Sequence, residues 1–371
     1  MSPHPEGHVT MVKALQRRAA GLRQPVSGLF ELTERCNLAC GMCYVRQPAN
    51  DAAHRARELP AADWVSLAQE AADAGMIFLL LTGGEVFLRR DFFDIYAPLT
   101  RMGLILTLFT NGTRVTDRIA ARLAEAPPQM TQITLYGASA ATYGAVTGVP
   151  EAFDHCRAGI EALLRHGVPL ELKTTITRQN RDDLEPMRQM ARDWGLSLAA
   201  NWMLMQRRDG AACGAEECRL SPQDCAALAA IERPGTLAAM SATGSGNLSG
   251  DSACFACQVG KSSFAINSFG RMLPCLNLDR PALEPRETGF SMAWRQLQSH
   301  VDAAPPVDPE CASCEAAAHC PRCPAWSVTE TGSLTAPARY LCDLMQAKRD
   351  LAARQAEGGA VPTSPVAAPD V

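Results

Sequence analysis

Between Ser27 and about Met205, the sequence alternates short apolar strand-like stretches with helix-like stretches. Such alternation is typical of parallel βα units, in which each helix returns the chain to the start of the next strand. The six predicted strands are residues 28–32, 76–81, 104–109, 132–136, 169–175 and 197–203. In βα barrels, function lies in the loops after the carboxyl ends of the strands, so residues at these positions are the first candidates for a site.

Apolar spacing also predicts three of the intervening helices. One begins near Pro60, a residue favoured in a first helical turn. Its apolar face is expected to hold Trp64, Leu67, Ala68 and Ala71. A second helix is expected to bury Phe153, Cys156, Ile160, Leu163 and Leu164. A third spans residues 183–194 and is ended by Gly195.

Cys36, Cys40 and Cys43 follow the first predicted strand within eight residues. Three thiolates at this spacing can ligate three irons of a four-iron cluster and leave the fourth iron open. An open coordination position lets a catalytic metal bind and activate a substrate or cofactor. A zinc knuckle is the alternative interpretation of the same spacing.

The second predicted strand leads into Gly83, Gly84 and Glu85. Glycines lack a Cβ, so the backbone can approach a ligand closely, and the carboxylate offers charged acceptors. A plain turn between a strand and a helix is the alternative. Further polar residues that follow or end predicted strands are Asn111, Ser139, Lys173, Thr175 and Arg178.

The three-cysteine motif and the Gly-Gly-Glu loop one βα unit later resemble the signatures of the radical S-adenosylmethionine (SAM) enzymes. The resemblance implies a partial (β/α)6 barrel and a [4Fe-4S] cluster whose open iron binds SAM, which is cleaved reductively to a 5′-deoxyadenosyl radical. It assigns SAM's ammonium group to Gly83, Gly84 and Glu85. Candidates for the ribose or carboxylate of SAM are Asn111, Ser139, Lys173 and Arg178. The sequence departs from the family at Tyr136, where Asp is usual, and at Met42, where an aromatic residue is common.

A second set of cysteines lies in the last third of the chain: Cys254, Cys257, Cys275, Cys311, Cys314, Cys320, Cys323 and Cys342. Eight thiolates suit two fully ligated four-iron clusters, and two zinc sites are the alternative. The spacing resembles the SPASM domain of peptide-modifying radical SAM enzymes, one residue short before Cys323. The resemblance implies two auxiliary clusters. Cluster I is assigned to Cys254, Cys257, Cys275 and Cys323, and cluster II to Cys311, Cys314, Cys320 and Cys342.

Within this region, residues 262–267 and 271–274 are predicted to form a β-hairpin with Gly270 in its turn. Cys156 is expected to be a buried core residue. Cys213, Cys218 and Cys225 are interpreted as thiols without a role in metal binding, with metal or redox chemistry as the alternative.

The composition excludes some classes of protein. A formal net charge of −4 gives no support for binding to nucleic acid or to an anionic membrane. The amino-terminal residues lack the apolar core of a signal peptide, and no stretch approaches a membrane span. A cytoplasmic location is therefore expected, where clustered cysteines bind metal more often than they form disulfides.

The expected domain organisation is α/β, with a small cysteine-rich α+β domain behind the barrel. Its parts are a lead-in (1–25), a radical SAM barrel (26–205), a bridge (206–250), a SPASM domain (251–350) and a disordered tail (351–371). About 26 residues precede the first strand, which is too few for a leader-binding domain. The leader of a substrate would then be recognised by a separate protein or by the bridge.

The resemblance implies a radical SAM oxidoreductase that modifies a ribosomally made peptide, forming a thioether or carbon–carbon crosslink. Expected partners are the precursor peptide and a flavodoxin- or ferredoxin-type reductant. One alternative is oxidation of a sulfatase Cys or Ser to formylglycine, but Leu276 and Asn277 stand where those enzymes carry an acidic residue after the cysteine. Another is a non-catalytic iron–sulfur electron carrier. No catalytic acid, base or radical-quenching residue is assigned.

Overall fold

The computed structural model describes residues 6–211, 214–232 and 253–356. One large sheet of eight strands runs through it. Two further strands form a small sheet of their own. In chain order, the described strands are β1 (Ser27–Glu31), β2 (Arg35–Cys36), β3 (Gln47–Pro48), β4 (Phe78–Thr82), β5 (Ile105–Thr110), β6 (Met130–Thr134), β7 (Leu170–Thr175), β8 (Leu198–Asn201), β9 (Ser263–Ile266) and β10 (Met272–Leu273). The sheet order is β10-β9-β1-β4-β5-β6-β7-β8, and β2 pairs with β3 alone.

The six predicted barrel strands are all present and all parallel. They are β1, β4, β5, β6, β7 and β8, and each begins and ends within two residues of its predicted bounds. Strands buried on both faces of a parallel sheet need continuous apolar runs, which the sequence supplies, for example at residues 78–81. The expected α/β class with a partial barrel is therefore confirmed.

Helices cover the barrel and fill the carboxyl-terminal region. They are α1 (Glu6–Leu22), α2 (Ala52–Arg57), α3 (Ala61–Asp73), α4 (Phe92–Arg101), α5 (Asp117–Glu125), α6 (Ala140–Thr147), α7 (Ala152–Arg165), α8 (Leu184–Asp193), α9 (Ala215–Cys218), α10 (Pro222–Glu232), α11 (Pro285–Thr288), α12 (Phe290–Asp302), α13 (Pro309–Ala312), α14 (Pro324–Thr331) and α15 (Arg339–Ala356).

The three predicted helices are confirmed as α3, α7 and α8. Pro60 caps the start of α3, and the four predicted core residues of that helix are buried. Cys156 is fully buried on α7, as expected. Gly195, directly after α8, has a φ of 69°, a left-handed conformation that favours glycine.

The cysteine-rich region joins the barrel sheet at its β1 edge. Strand β9 pairs in parallel with β1, and β10 continues the sheet antiparallel to β9. Gly270 makes the turn between β9 and β10 with a φ of 83°. The predicted hairpin is confirmed, but its pairing with β1 joins residues more than 230 positions apart, and the hydrophobic pattern of either segment carries no sign of it.

The structure refines the expected boundaries. The lead-in contains α1, and the described part of the bridge contains α9 and α10. Helix α15 continues to Ala356, so residues 351–356 are helical and do not belong to a disordered tail. Cys213, residues 233–252 and residues 357–371 lie outside the described residues. In the described part of the chain, no helix is long and apolar enough to cross a bilayer.

Candidate functional site

The three thiols of the amino-terminal motif lie together at the carboxyl end of β1. Cys36 ends β2, and Cys40 and Cys43 lie in the turn that follows. Burial raises the pKa of Cys36 to about 12 and also raises that of Cys40, and the nearby charge of Cys43 raises both. Cysteine binds metal as the thiolate, and iron–sulfur clusters are held by thiolates. Because the raised pKa values keep these three thiols protonated, binding of a cluster would release protons from them.

The Gly-Gly-Glu loop packs against the segment that enters the cysteine motif. The backbone N–H of Gly84 donates to the carbonyl of Thr33 at 2.7 Å, and the backbone N–H of Glu85 donates to the carbonyl of Arg35 at 2.9 Å. A Cβ at Gly83 would lie 2.4 Å from the Thr33 carbonyl oxygen, and one at Gly84 would lie 2.4 Å from that of Arg35. Both glycines are therefore required for this close approach of two backbones.

The Glu85 side chain connects the loop to the next strand and to the first thiol. Its buried carboxylate accepts hydrogen bonds from the Thr110 hydroxyl at 2.8 Å and from the backbone N–H groups of Asn111 at 2.8 Å and Phe87 at 3.1 Å. Burial raises the pKa of this carboxyl. The Asn111 amide in turn donates to Cys36 Sγ at 3.6 Å. The structure thus brings together Glu85, Asn111 and Cys36 from three successive βα units.

The other predicted SAM contacts are more widely distributed. Ser139 is exposed and caps α6 by accepting from the backbone N–H of Thr142 at 3.1 Å. Arg178 is exposed and lines a cavity of about 440 Å³ together with Arg219 and Tyr340, and no other predicted SAM contact lines that cavity.

Lys173 lies half-buried on β7. Its ammonium is 3.0 Å from the centre of the Phe109 ring and 3.5 Å from the Gln132 side-chain oxygen. Burial lowers the pKa of this lysine to about 7. Its charge therefore changes near neutral pH, and this makes its predicted contact with SAM testable.

If Lys173 pairs with the carboxylate of SAM, affinity for SAM will fall as pH rises above about 7, because only the protonated amine forms the pair. The fall approaches tenfold per pH unit until the pKa of the complex is reached. Equilibrium dialysis of iron-loaded protein with SAM from about pH 6 to pH 9 measures it. The Lys173→Met variant should bind more weakly at low pH, and its profile should lack the part of the fall that Lys173 causes. Equal slopes in both proteins would remove Lys173 from the SAM site.

The eight carboxyl-terminal cysteines separate into two groups of neighbours. In the first group, Cys257 and Cys323 both raise the pKa of Cys254 and of Cys275, in addition to the effect of burial. In the second, Cys311, Cys314 and Cys342 all raise the pKa of Cys320, again after burial. These are the same two sets of four cysteines that the resemblance implies, and their role as cluster ligands stays a prediction.

The ligand arrangement can be compared with the needs of zinc and of iron. Across residues 6–211, 214–232 and 253–356, no three His, Cys, Asp or Glu side chains converge as the ligands of one metal ion would. A four-iron cluster distributes its thiolates over separate irons. The assignment of the grouped cysteines to four-iron clusters stays a prediction.

Sequence reasoning missed a buried ionic junction at the barrel mouth. Arg208 pairs with Glu31 and with Glu34, each at 2.6 Å, and donates to the carbonyl of Leu276 at 2.9 Å. Burial raises the pKa of Glu31 to about 7 against the opposing effect of Arg208. A glutamate inside an apolar strand is a detectable signal, but nothing in the sequence identifies a partner 177 positions away.

Two of the remaining cysteines also have defined surroundings. A Cβ built on Gly41 would lie 3.4 Å from Cys218 Sγ, so this buried thiol lies beside the three-cysteine turn. Cys225 lies 3.2 Å from the Tyr340 hydroxyl. Sequence spacing gave no indication of either placement.

Comparison with known proteins agrees with this geometry. Residues 30–192 match the Radical SAM superfamily. The AdoMet-dependent heme synthase of Methanosarcina barkeri is 27% identical over 335 residues, which cover 82% of this chain and 92% of that protein. The PqqA peptide cyclase of Xanthomonas campestris pv. campestris is 32% identical over 171 residues, which cover 46% of this chain and 45% of that protein.

Two solved structures share the fold. Streptococcus suis SuiB bound to S-adenosylmethionine superposes with a TM-score of 0.65 at 15% identity, covering 90% of this chain and 79% of SuiB. The enzyme anSMEcpe with bound AdoMet gives a TM-score of 0.62 at 15% identity, covering 90% and 98%. Residues 30–192 are therefore a radical SAM domain. Together with the relatives and the structural neighbours, this domain supports an enzyme of the radical SAM class, which implies a [4Fe-4S] cluster and SAM.

Proposed function

We propose that this enzyme is a peptide maturase that oxidatively crosslinks a ribosomally made precursor peptide. The observation that carries the proposal is the gathering of eight further thiols into two groups of four, in a region whose β9 pairs with β1 of the SAM domain. Net oxidation of a peptide leaves electrons to dispose of, and two auxiliary clusters would accept them. SuiB bound to the precursor peptide SuiA and anSMEcpe bound to the Cp18Cys peptide have the same fold.

Cofactor binding is assigned to three sets of thiols. Cys36, Cys40 and Cys43 would hold the SAM-binding cluster, and the two groups of four would hold auxiliary clusters I and II. With SAM, these groups supply a carbon radical that abstracts hydrogen and a path for the electron released on oxidation. The protein's part is positioning: Glu85 fixes Asn111, and Asn111 orients the Cys36 thiolate by donating to its sulfur.

Heme formation is a second candidate because two relatives that span most of the chain are AdoMet-dependent heme synthases. The heme synthase of Oleidesulfovibrio alaskensis is 26% identical over 95% of this chain, whereas the PqqA peptide cyclase matches 46% of it. Expression in a heme-deficient host separates the two candidates. Recovery of heme, detected by its absorbance and mass, would favour this second activity.

The two remaining alternatives are weaker. Formylglycine formation lacks its acidic residue after Cys275, where the Leu276 carbonyl instead accepts from Arg208. The radical SAM domain makes the chain an enzyme and leaves no case for a non-catalytic carrier.

Anaerobic co-expression with the short reading frames beside the gene tests the proposal. We expect one encoded peptide to lose the mass of two hydrogen atoms for each crosslink formed, with fragmentation locating the bond. The control is the same co-expression with an enzyme in which Cys36, Cys40 and Cys43 are Ala. Peptides that stay unmodified beside an enzyme that cleaves SAM would contradict the proposal.

A further inference from the structure

Arg208 joins three separate parts of the chain at the mouth of the barrel. Its guanidinium pairs with Glu31 at the end of β1 and with Glu34, two residues before Cys36. The same group donates to the carbonyl of Leu276, the residue after Cys275. One side chain therefore connects the turn of the three-cysteine motif with the loop that carries a cysteine of the first auxiliary group.

The backbone around Arg208 lies on the cysteine turn as well. The N–H of Arg208 donates to the Tyr44 carbonyl at 3.3 Å, and that of Gly214 donates to Gly41 at 3.0 Å. On the auxiliary side, Leu276 packs with Ala265 and Leu273, and Tyr44 contacts this cluster. The bridge, the cysteine turn and the Cys275 loop thus form one contact region.

Because Arg208 and its partners are buried, their contacts are sensitive to substitution. Glu31 is fully buried and the Arg208 side chain is 7% exposed, so loss of the Arg208 charge leaves the buried carboxylates of Glu31 and Glu34 without this counter-ion. The planar guanidinium reaches two carboxylates and a carbonyl at once because its donors project in fixed directions. A lysine keeps the charge but presents a single point of donation, and it cannot hold all three acceptors in this geometry.

We propose that Arg208 is a positioning residue that sets the separation between the SAM-binding cluster and auxiliary cluster I. A substrate held between the two clusters must present one hydrogen to the radical and then pass its electron onward. The separation that Arg208 fixes therefore controls how much SAM cleavage ends in modified peptide. This inference rests on the proposed peptide-modifying function and adds a residue that couples its two halves.

The test compares Arg208→Lys with Arg89→Lys as a matched control. Arg89 is similarly buried and donates to the carbonyls of Leu32 and Leu59, each at 2.9 Å, but it does not contact the Cys275 loop. We expect Arg208→Lys to raise the ratio of 5′-deoxyadenosine to modified peptide by about a hundredfold, since misplacement of about 1 Å costs that much. The control should keep the wild-type ratio.

A second measurement does not need the substrate. Magnetic interaction between the two reduced clusters shortens the relaxation time of their electron spins. The strength of this interaction falls steeply as the distance between the clusters grows. Arg208→Lys should weaken this interaction at full iron loading, and Arg89→Lys should not. If Arg208→Lys does not load its clusters, the double variant Arg208→Gln with Glu31→Gln takes its place, since it removes the bond to Leu276 without leaving Glu31 charged and unpaired.

The outcomes separate this inference from the proposed function. An unchanged ratio and unchanged relaxation in Arg208→Lys, or in the double variant as its substitute, would overturn the role of Arg208. Equal changes in Arg208→Lys and Arg89→Lys would also overturn it, because they would reflect a general loss of stability. If the wild-type enzyme modifies no peptide, the proposed function fails, and the relaxation measurement alone decides the role of Arg208.

Discussion

Replacement of Cys36, Cys40 and Cys43 by Ala is expected to abolish cleavage of SAM to 5′-deoxyadenosine. The thiols lie together in one buried turn, and without them no open iron is available to bind SAM. The two auxiliary groups lie on other segments and keep their ligands. Iron should therefore fall from about twelve to about eight atoms per chain, if each group of thiols holds a four-iron cluster. Anaerobic reconstitution, iron analysis and chromatography of the SAM products measure both effects.

Cys156→Ala is the matched control for the triple variant. This thiol is fully buried on α7 and lies outside all three groups. It should keep both the full iron content and SAM cleavage, and any loss it shows measures the general cost of removing a buried thiol. Cleavage that survived the triple change would contradict the assignment of the SAM-binding cluster.

The barrel could be predicted because its signals are local. Apolar runs such as residues 78–81 specify a buried parallel strand, and the spacing from Trp64 to Ala71 specifies the inner face of α3. Pairing of β9 with β1 could not be predicted in the same way. Each segment has a strand pattern, but the pairing depends on contacts between distant residues, and local periodicity carries no information about these.

At the candidate site, too, the sequence indicates positions along the chain but not the contacts between distant residues. The sequence marked Glu85 and Asn111 as ligand candidates, and the structure adds that they bond to each other and that Asn111 reaches Cys36. Ser139 and Arg178 were chosen by the same rule, yet Ser139 caps a helix and Arg178 lines a cavity with Arg219 and Tyr340. The sequence shows that a polar residue lies at a strand end. The packing of the folded chain decides which group that residue contacts.

The contact network of Arg208 lay beyond sequence reasoning for a further reason. Its two carboxylate partners precede it by more than 170 residues, and Leu276 contributes a backbone carbonyl, which every residue has. Spacing rules detect ligands that lie close together in one segment. They do not detect a side chain that joins three segments, although such a side chain can decide how the segments are placed.

Cys320 and Cys323 are three residues apart, and we expect them to serve different clusters. In the structure, the pKa of Cys320 is raised by Cys311, Cys314 and Cys342, and that of Cys323 by Cys257, in each case after burial. Cys320→Ala should therefore remove or convert the signal of one auxiliary cluster, and Cys323→Ala that of the other. Electron paramagnetic resonance during a redox titration distinguishes the two signals.

Double variants make this test sharper. Cys320→Ala with Cys342→Ala removes two ligands of one proposed cluster, so the second change should add little to the first. Cys320→Ala with Cys323→Ala should lose both auxiliary signals and about eight irons, leaving the SAM-binding cluster and its cleavage of SAM. Modification of the peptide should stop, because the electron released on oxidation has no acceptor. If the two double variants lost the same signal and the same amount of iron, neighbouring cysteines would share a cluster and the crossed assignment would be wrong.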